Sequence, residues 1–245
     1  MKVNIIGCGD AFGSGGRFHS CFQLLGERTN ILLDCGASSL ISLKLRHVPL
    51  SDIQAIILTH FHADHVGGVP FFLLDAHFVS RRKRPLTIAG PKGIMSWFDR
   101  AMETSFPGSM RHRYLFELSL IELGPYETRD FGNYQVTSYL AEHGEPGGLA
   151  YSYRVLAEGK TIAYTGDTAW TDRLIDLGRE ADLLIAEAYT YEARGLLHLD
   201  VLTLIEKHGL MNPRRTILTH MSDEVLSKSF FLPFRPAEDG MEIEV

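Results

Sequence analysis

Short apolar blocks recur along the chain, and several of them stop abruptly at Asp, Glu or His. Residues 3–6, 22–25, 30–33, 53–58, 86–89, 118–123, 134–139, 151–155, 161–164, 183–186 and 216–219 read as strands, since each is brief and apolar or alternating. Two pairs are spaced as hairpins: 22–25 with 30–33 around Gly26-Glu27, and 151–155 with 161–164 around Glu158-Gly159. The alternation Met241-Glu242-Ile243-Glu244-Val245 predicts a half-exposed strand. Helices are predicted over 40–45, over 66–74, and from Gly90-Pro91-Lys92-Gly93-Ile94 onward with the proline near the first turn. A further helix over 201–208 follows Asp200, which is placed to cap it. Strands interleaved with helices indicate a layered α/β protein, in which ligands gather at the carboxyl ends of strands.

The densest chemistry follows the strand at 53–58. There Thr59-His60-Phe61-His62-Ala63-Asp64-His65-Val66-Gly67-Gly68 offers three imidazoles and a carboxylate within six residues. His60 and His62 are two apart, so on extended backbone both side chains point to one side. Asp64 and His65 fall where the chain turns into a helix and so address a neighbouring position. The spacing suits a pair of metal ions, one for each set. Imidazole with carboxylate is typical zinc coordination, and manganese or iron also accept it. A loop of satisfied core histidines explains a lone His better than four ligand residues so close together.

Composition narrows the class. A length of 245 residues allows one large domain or two small ones, and 45% hydrophobic with 22% charged residues is ordinary for a globular protein. No apolar run approaches the ~20 residues needed to span a bilayer. The opening Met1-Lys2-Val3-Asn4-Ile5-Ile6-Gly7 lacks a signal peptide's apolar core. Cys8, Cys21 and Cys35 are an odd set without zinc-ribbon spacing, so no disulfide framework is indicated and a reducing cytoplasm is expected. A net charge of -6 argues against indiscriminate nucleic-acid binding, while leaving room for a local basic patch. Arg81-Arg82-Lys83-Arg84 reads first as a solvated loop, second as a contact for a phosphate backbone. Phe230-Phe231-Leu232-Pro233-Phe234 reads as a cover for the core, with a dimer contact or pocket wall as the other readings. Gly7 to Gly16 is rich in glycine but lacks the Lys-Ser/Thr of a P-loop, and it reads as a flexible connection.

Other candidates stand at strand ends. His143 follows the strand at 134–139 and precedes a Gly-Pro-rich loop. Asp167, in Thr165-Gly166-Asp167-Thr168, is either a turn aspartate or a carboxylate bridging two metals. Glu187 follows 183–186, His198 precedes Asp200, and His220 repeats the strand-then-histidine design of the opening motif. His77 and His112 follow no strand and read as surface or packing residues.

The H-x-H-x-D-H motif after an apolar strand closely resembles the metallo-β-lactamase superfamily of binuclear hydrolases. The Gly-rich loop, Gly-Pro-Lys-Gly and Leu-Thr-His-Met-Ser around His220 resemble its ribonuclease Z branch, and the resemblance covers nearly the whole chain. It implies an αββα four-layer sandwich of two mixed β-sheets flanked by helices. Residues 1–245 would form a single domain of two pseudo-repeated halves, divided near the basic run or the Gly124-Pro125 turn. It also implies two divalent metal ions, Zn2+ first, with Mn2+ or Fe2+ as alternatives. His60, His62 and His143 would hold one ion; Asp64, His65 and His220 would hold the other, with Asp167 between them. Asp34 is implied as a carboxylate that orients a ligating histidine. Asp64 is implied to orient the nucleophile as well. Glu187 and His198 are implied to cooperate in proton transfer to the leaving group, although His-Leu-Asp stands here where the branch has His-Ser-Thr.

The fold supports lactam, thioester, lactone and phosphodiester hydrolysis, so the reaction must be argued from the site. Gly-Pro-Lys-Gly, the Glu187/His198 pair and the residues around His220 favour a phosphodiester attacked by a bridging hydroxide. Only 24 positions separate His143 from Asp167. Short ribonuclease Z enzymes usually carry a long tRNA-clamping arm in that interval. The expectation is therefore a phosphodiesterase without the arm, acting on a cyclic nucleotide, a cyclic ribose phosphate or short RNA. Homodimers are common in that branch. The alternatives are a thioester or lactone hydrolase of the glyoxalase II or lactonase kind, which has no need of His198 as an acid, and a metal-stabilised binding module.

Overall fold

The apolar blocks become strands, and their alternation decides which layer each side chain enters. The computed structural model describes residues 1–109, 113–144, 148–194 and 197–245. In chain order the strands are β1 (Lys2–Gly7), β2 (Cys21–Leu25), β3 (Asn30–Leu33), β4 (Ala55–Ile57), β5 (Leu86–Pro91), β6 (Leu118–Leu123), β7 (Thr128–Asp130), β8 (Tyr134–Leu140), β9 (Tyr151–Ala157), β10 (Lys160–Tyr164), β11 (Leu183–Glu187), β12 (Thr216–Thr219), β13 (Arg235–Pro236) and β14 (Glu242–Glu244). The helices are α1 (Ser39–Leu45), α2 (Ala63–Val66), α3 (Val69–Leu74), α4 (Ile94–Ser105), α5 (Arg173–Gly178), α6 (Val201–Met211) and α7 (Asp223–Ser227).

One sheet runs β14-β1-β2-β3-β4-β5-β6 and the other β13-β12-β11-β10-β9-β8-β7. Both are mixed. In the first, β14 to β3 pair antiparallel and β3 to β6 parallel. In the second, β7 to β10 pair antiparallel and β10 to β13 parallel.

Period-two alternation sorts the core. In β3, Ile31 and Leu33 meet Tyr153, Val155 and Ile185 between the sheets, whereas Leu32 joins Leu43, Phe72 and Phe98 beneath the helices. In β11, Ile185 points inward while Leu184 and Ala186 pack against Leu177, Val201 and Leu204 of α5 and α6. Four layers result, helix–sheet–sheet–helix, as the metallo-β-lactamase resemblance implied.

Both predicted hairpins form. At the β9–β10 turn Glu158 and Gly159 both take left-handed backbone, φ 52° and 74°, as a two-residue hairpin turn of the primed type requires. The Glu158 carboxylate then reaches the other sheet, accepting from the backbone N–H groups of Glu27, Arg28 and Thr29 at 3.0, 2.9 and 3.1 Å. Asp200 caps α6 as expected, accepting from the Thr203 N–H at 2.9 Å. The chain leaves the first sheet after Leu123 and enters the second at Thr128, so the sheet boundary falls at the Gly124-Pro125 turn and not at the basic run.

Three expectations are corrected. Pro91 ends β5 and does not lie in the first turn of α4, which starts at Ile94 after Gly93 at φ 99°. Arg82 is not part of a solvated run: it is 1% exposed, and its guanidinium donates to the carbonyls of Leu50, Ile53, Arg84 and Pro85. Burial lowers its pKa to about 10. Phe230 and Phe231 do not cover the core, being 92% and 81% exposed; Leu232 and Phe234 pack against it instead. His77 does pack, its ring lying edge-on to Phe78 and Tyr114. His112 and part of the Gly-Pro-rich loop after His143 lie outside the described residues. Strands β7 and β13 and helices α5 and α7 form where the sequence predicts no element.

Candidate metal centre

The site is built where strands stop. After β3, Asp34 takes left-handed backbone at φ 58°, a conformation that Asp tolerates better than most residues. This aims its wholly buried carboxylate across the end of β4. There it accepts from the Thr59 N–H at 2.8 Å, the Thr59 hydroxyl at 2.9 Å, the Tyr164 hydroxyl at 2.9 Å and His65 Nδ1 at 2.7 Å. Short helix α2 carries Asp64 and His65, while His60 and His62 precede it on the strand exit. After β10, Gly166 at φ 57° turns the chain to present Asp167. A Cβ there would come within 3.0 Å of the Thr59 side chain and 3.1 Å of the Tyr151 carbonyl. Glu187 ends β11, and His220 follows β12 at φ 55° with its N–H bonded to the Cys8 carbonyl at 3.0 Å.

All nine candidates converge. Potential ligand atoms of His60, His62 and His143 lie within 4.8 Å of one another, as do those of Asp64, His65, Asp167 and His220. Asp167 and His220 also belong to a third group with Glu187 and His198. His65 Nε2 stands 3.1 Å from Asp167 Oδ1, and His220 Nε2 stands 3.2 Å from Asp64 Oδ2.

Hydrogen bonds orient the rings. The carboxylate of Asp34 and the carbonyl of Leu197 accept from the Nδ1–H of His65 and His143, so in the neutral rings Nε2 carries the lone pair. Thr59, donating its hydroxyl hydrogen to Asp34, accepts from His60 Nδ1 at 3.0 Å with the same result. His143 Nε2 and His62 Nδ1 face each other at 3.1 Å.

Charge is concentrated here. Burial pushes His60 well below its ordinary value, and the neighbouring His65 adds to the effect. Burial also lowers His62, helped by His143. At His65 burial opposes the charged form, but Asp167 and Asp34 outweigh it and hold the pKa well above the ordinary value. The same contest at His220, won chiefly by Asp167, raises it to about 10. Burial opposes charge on Asp64 and Asp167 too, yet His220 and His65 hold both carboxyls well below the usual range. Buried carboxylates here require compensating positive charge, and protons on His65 and His220 compete with a cation for that role.

A bound cation fits what remains unpaired. His60 Nε2, His65 Nε2, His220 Nδ1 and Asp167 Oδ1 are buried without a hydrogen-bond partner. Buried polar atoms rarely stay unpaired, and an imidazole–carboxylate donor set is the chemistry of zinc and similar divalent metals.

Beside the cluster Glu187, wholly buried, accepts from the N–H groups of Thr168 at 2.8 Å and Leu199 at 3.1 Å and lies 2.5 Å from His198 Nδ1. Burial opposes charge on His198, but Glu187 prevails and its pKa sits above the ordinary imidazole value. The space over these groups is about 250 Å³, lined by Ala11, Phe12, His62, Asp64, His143, Asp167, Tyr189, His198 and His220. Ala11, Phe12 and Tyr189 were missed in sequence. Tyr189 stands two residues after Glu187 and packs against His198, ring centroids 4.6 Å apart and planes tilted by 42°.

Residues 29–221 match a family described as the beta-lactamase superfamily domain. The chain belongs to that superfamily. It is thus a hydrolase of the metallo-β-lactamase fold, and its relatives within the superfamily include ribonucleases Z. It is 30% identical over 234 residues to the mitochondrial ribonuclease Z of Drosophila melanogaster, covering 86% of this chain but 29% of that protein. It is 27% identical to the ribonuclease Z of Geobacillus kaustophilus, covering 82% of this chain and 80% of the relative. The probable metallo-hydrolase YhfI of Bacillus subtilis is 26% identical, with 78% and 73% covered. The crystal structure of human tRNase Z, short form, superposes with a TM-score of 0.83 at 26% identity, covering 100% of this chain and 99% of that one. That of YhfI superposes at 0.78 with 23% identity and 99% of each chain covered. No helix among the described residues is long and apolar enough to cross a membrane.

Proposed function

We propose that residues 1–245 act as one domain, a phosphodiesterase with two divalent cations held by His60, His62 and His143 and by Asp64, His65 and His220, with Asp167 shared. Such ions, zinc above all, activate water near neutral pH and offset negative charge developing on a phosphoryl oxygen. The observation that carries the phosphodiester reading is the Glu187–His198 pair, its His198 Nδ1 2.5 Å from Glu187 Oε1 and 3.8 Å from Asp167 Oδ2.

An alkoxide leaves a phosphodiester poorly unless it receives a proton. Glu187 holds the His198 Nδ1–H, which leaves Nε2 to deliver that proton on the cavity side. Burial disfavours the protonated ring, but the Glu187 carboxylate outweighs it and raises the pKa above the ordinary imidazole value. Asp64, which accepts from His220 at 3.2 Å, is the carboxylate assigned in this reading to orient the attacking water. The interval between His143 and Asp167 holds the β9–β10 hairpin among its described residues. A substrate smaller than transfer RNA, such as a cyclic nucleotide, a cyclic ribose phosphate or short RNA, is consistent with that compact interval. The ribonucleases Z among the relatives support the same class.

The test is hydrolysis of bis(p-nitrophenyl) phosphate by metal-loaded protein beside a thioester and a lactone, each also with His198→Ala. Diester kcat is expected to fall on the order of 10²- to 10⁴-fold in the variant. Turnover confined to the thioester or lactone and indifferent to His198 would overturn the assignment.

A further inference from the structure

From the geometry of the cavity mouth we infer that Phe12 is a specificity-determining residue, the platform on which the nucleobase of a nucleoside phosphodiester stacks. This rests on the phosphodiesterase reading. A single exposed Phe is ordinary on a protein surface. Phe12 differs in that it is 79% exposed while lining the same cavity as Asp64, Asp167, His198 and His220.

Its backbone is also held in place. Asp10, 1% exposed, accepts from the N–H groups of Phe12 at 3.2 Å and Ser14 at 2.9 Å and from the Ser14 hydroxyl at 2.7 Å. Gly13 at φ 67° and Gly15 at φ 65° close the loop, and the Gly15 N–H donates to Asp223 at 3.0 Å, tying it to α7. A buried carboxylate thus organises a loop whose outermost side chain is an apolar ring held beside the reacting groups.

Size supplies the remaining argument. A volume of about 250 Å³ lies below the ~300–1,000 Å³ of pockets that enclose a whole small-molecule ligand. The site admits the phosphoryl group and part of one substituent, and the rest of the substrate must lie on the rim. The rim offers a planar hydrophobic face, which suits the π-face that every nucleobase presents.

Kinetics on 2′,3′-cyclic AMP and on glycerol 1,2-cyclic phosphate, which shares the ester and lacks the base, test this. Phe12→Ala is expected to lower the kcat/KM preference for the nucleotide about tenfold, the loss residing in KM, with Phe12→Trp restoring it. Calorimetry should show AMP binding weakened by about the same factor, while glycerol phosphate binding moves much less. A preference unchanged in Phe12→Ala, or turnover of bis(p-nitrophenyl) phosphate with none of the nucleotide, would overturn the inference and leave the phosphodiesterase reading standing. If the wild-type protein hydrolyses no diester, the phosphodiesterase reading falls and this inference with it.

Discussion

His65 Nδ1 stands 2.7 Å from Asp34 Oδ2, with neither side chain reaching solvent. That contact fixes which ring nitrogen of His65 faces Asp64 and Asp167. Removing the carboxylate frees the imidazole to rotate and leaves Thr59 and Tyr164 short of an acceptor. Asp34→Ala should therefore weaken metal binding about 10- to 100-fold in a chelator competition. Asp34→Asn should lose less, since Asn tolerates the left-handed backbone and its amide oxygen still accepts from His65. Equal affinity in all three proteins would mean that packing alone holds the ring.

Glu187 and His198 should behave as a unit. Glu187→Gln keeps the shape but loses the charge that favours the protonated ring, so kcat on bis(p-nitrophenyl) phosphate should fall at least tenfold. Adding the change to His198→Ala should cost little more, because groups that act together are non-additive. Multiplying losses in the double variant would separate their roles.

Arg82 joins four carbonyls, those of Leu50 and Ile53 ahead of β4 and those of Arg84 and Pro85 ahead of β5. Arg82→Met should destabilise the protein by roughly 3 kcal/mol or more, read as a lower urea midpoint at unchanged slope. Lys should rescue only part, since a compact ammonium cannot reproduce the planar fork. A midpoint within error of wild type would contradict the structural role.

The layers were legible in sequence because inner parallel strands such as β4 (Ala55–Ile57) and β11 are apolar up to their last residues, while antiparallel β8 alternates. The ligand positions were legible because each follows such a strand, His60, His143 and Asp167 three residues past β4, β8 and β10 and His220 one past β12. Arg82 was not: a basic tetrad gives no sign of which member turns inward, and two of the carbonyls that decide it, on Leu50 and Ile53, are some thirty residues away. β7, Thr128–Asp130, has no hydrophobic period, being an edge strand read by its pairing with β8. Pro91 misled because proline favours a helix start, whereas here it ends β5 and α4 begins only at Ile94. Phe12 looked like part of a flexible loop because the order comes from Asp10, whose side-chain bonds the sequence does not display.

Glu158 offers a test by pH. The backbone N–H groups, that of Arg28 foremost, hold its carboxyl below the ordinary value. A depressed folded pKa contributes stability above the unfolded value and loses it as pH falls through the folded pKa. At pH 7, Glu158→Gln should lower Tm by ~2–4 °C, about 1 kcal/mol for a solvent-screened turn. The gap should close as the pH drops below about 4. A gap that persists in acid would point to lost shape and not lost charge.

The pairing of β14 with β1 carries a consequence for biosynthesis. Six strands of the first sheet leave the ribosome early, yet the outer edge of β1 stays bare until residues 242–244 emerge. Asp239 arrives just before, to receive the N–H groups of Cys8 and Phe18 at 3.0 and 2.8 Å. Cys8 in turn offers its carbonyl to His220. The nascent protein therefore carries the His60 motif long before it owns a finished centre, and for that time presents an open β edge to its neighbours.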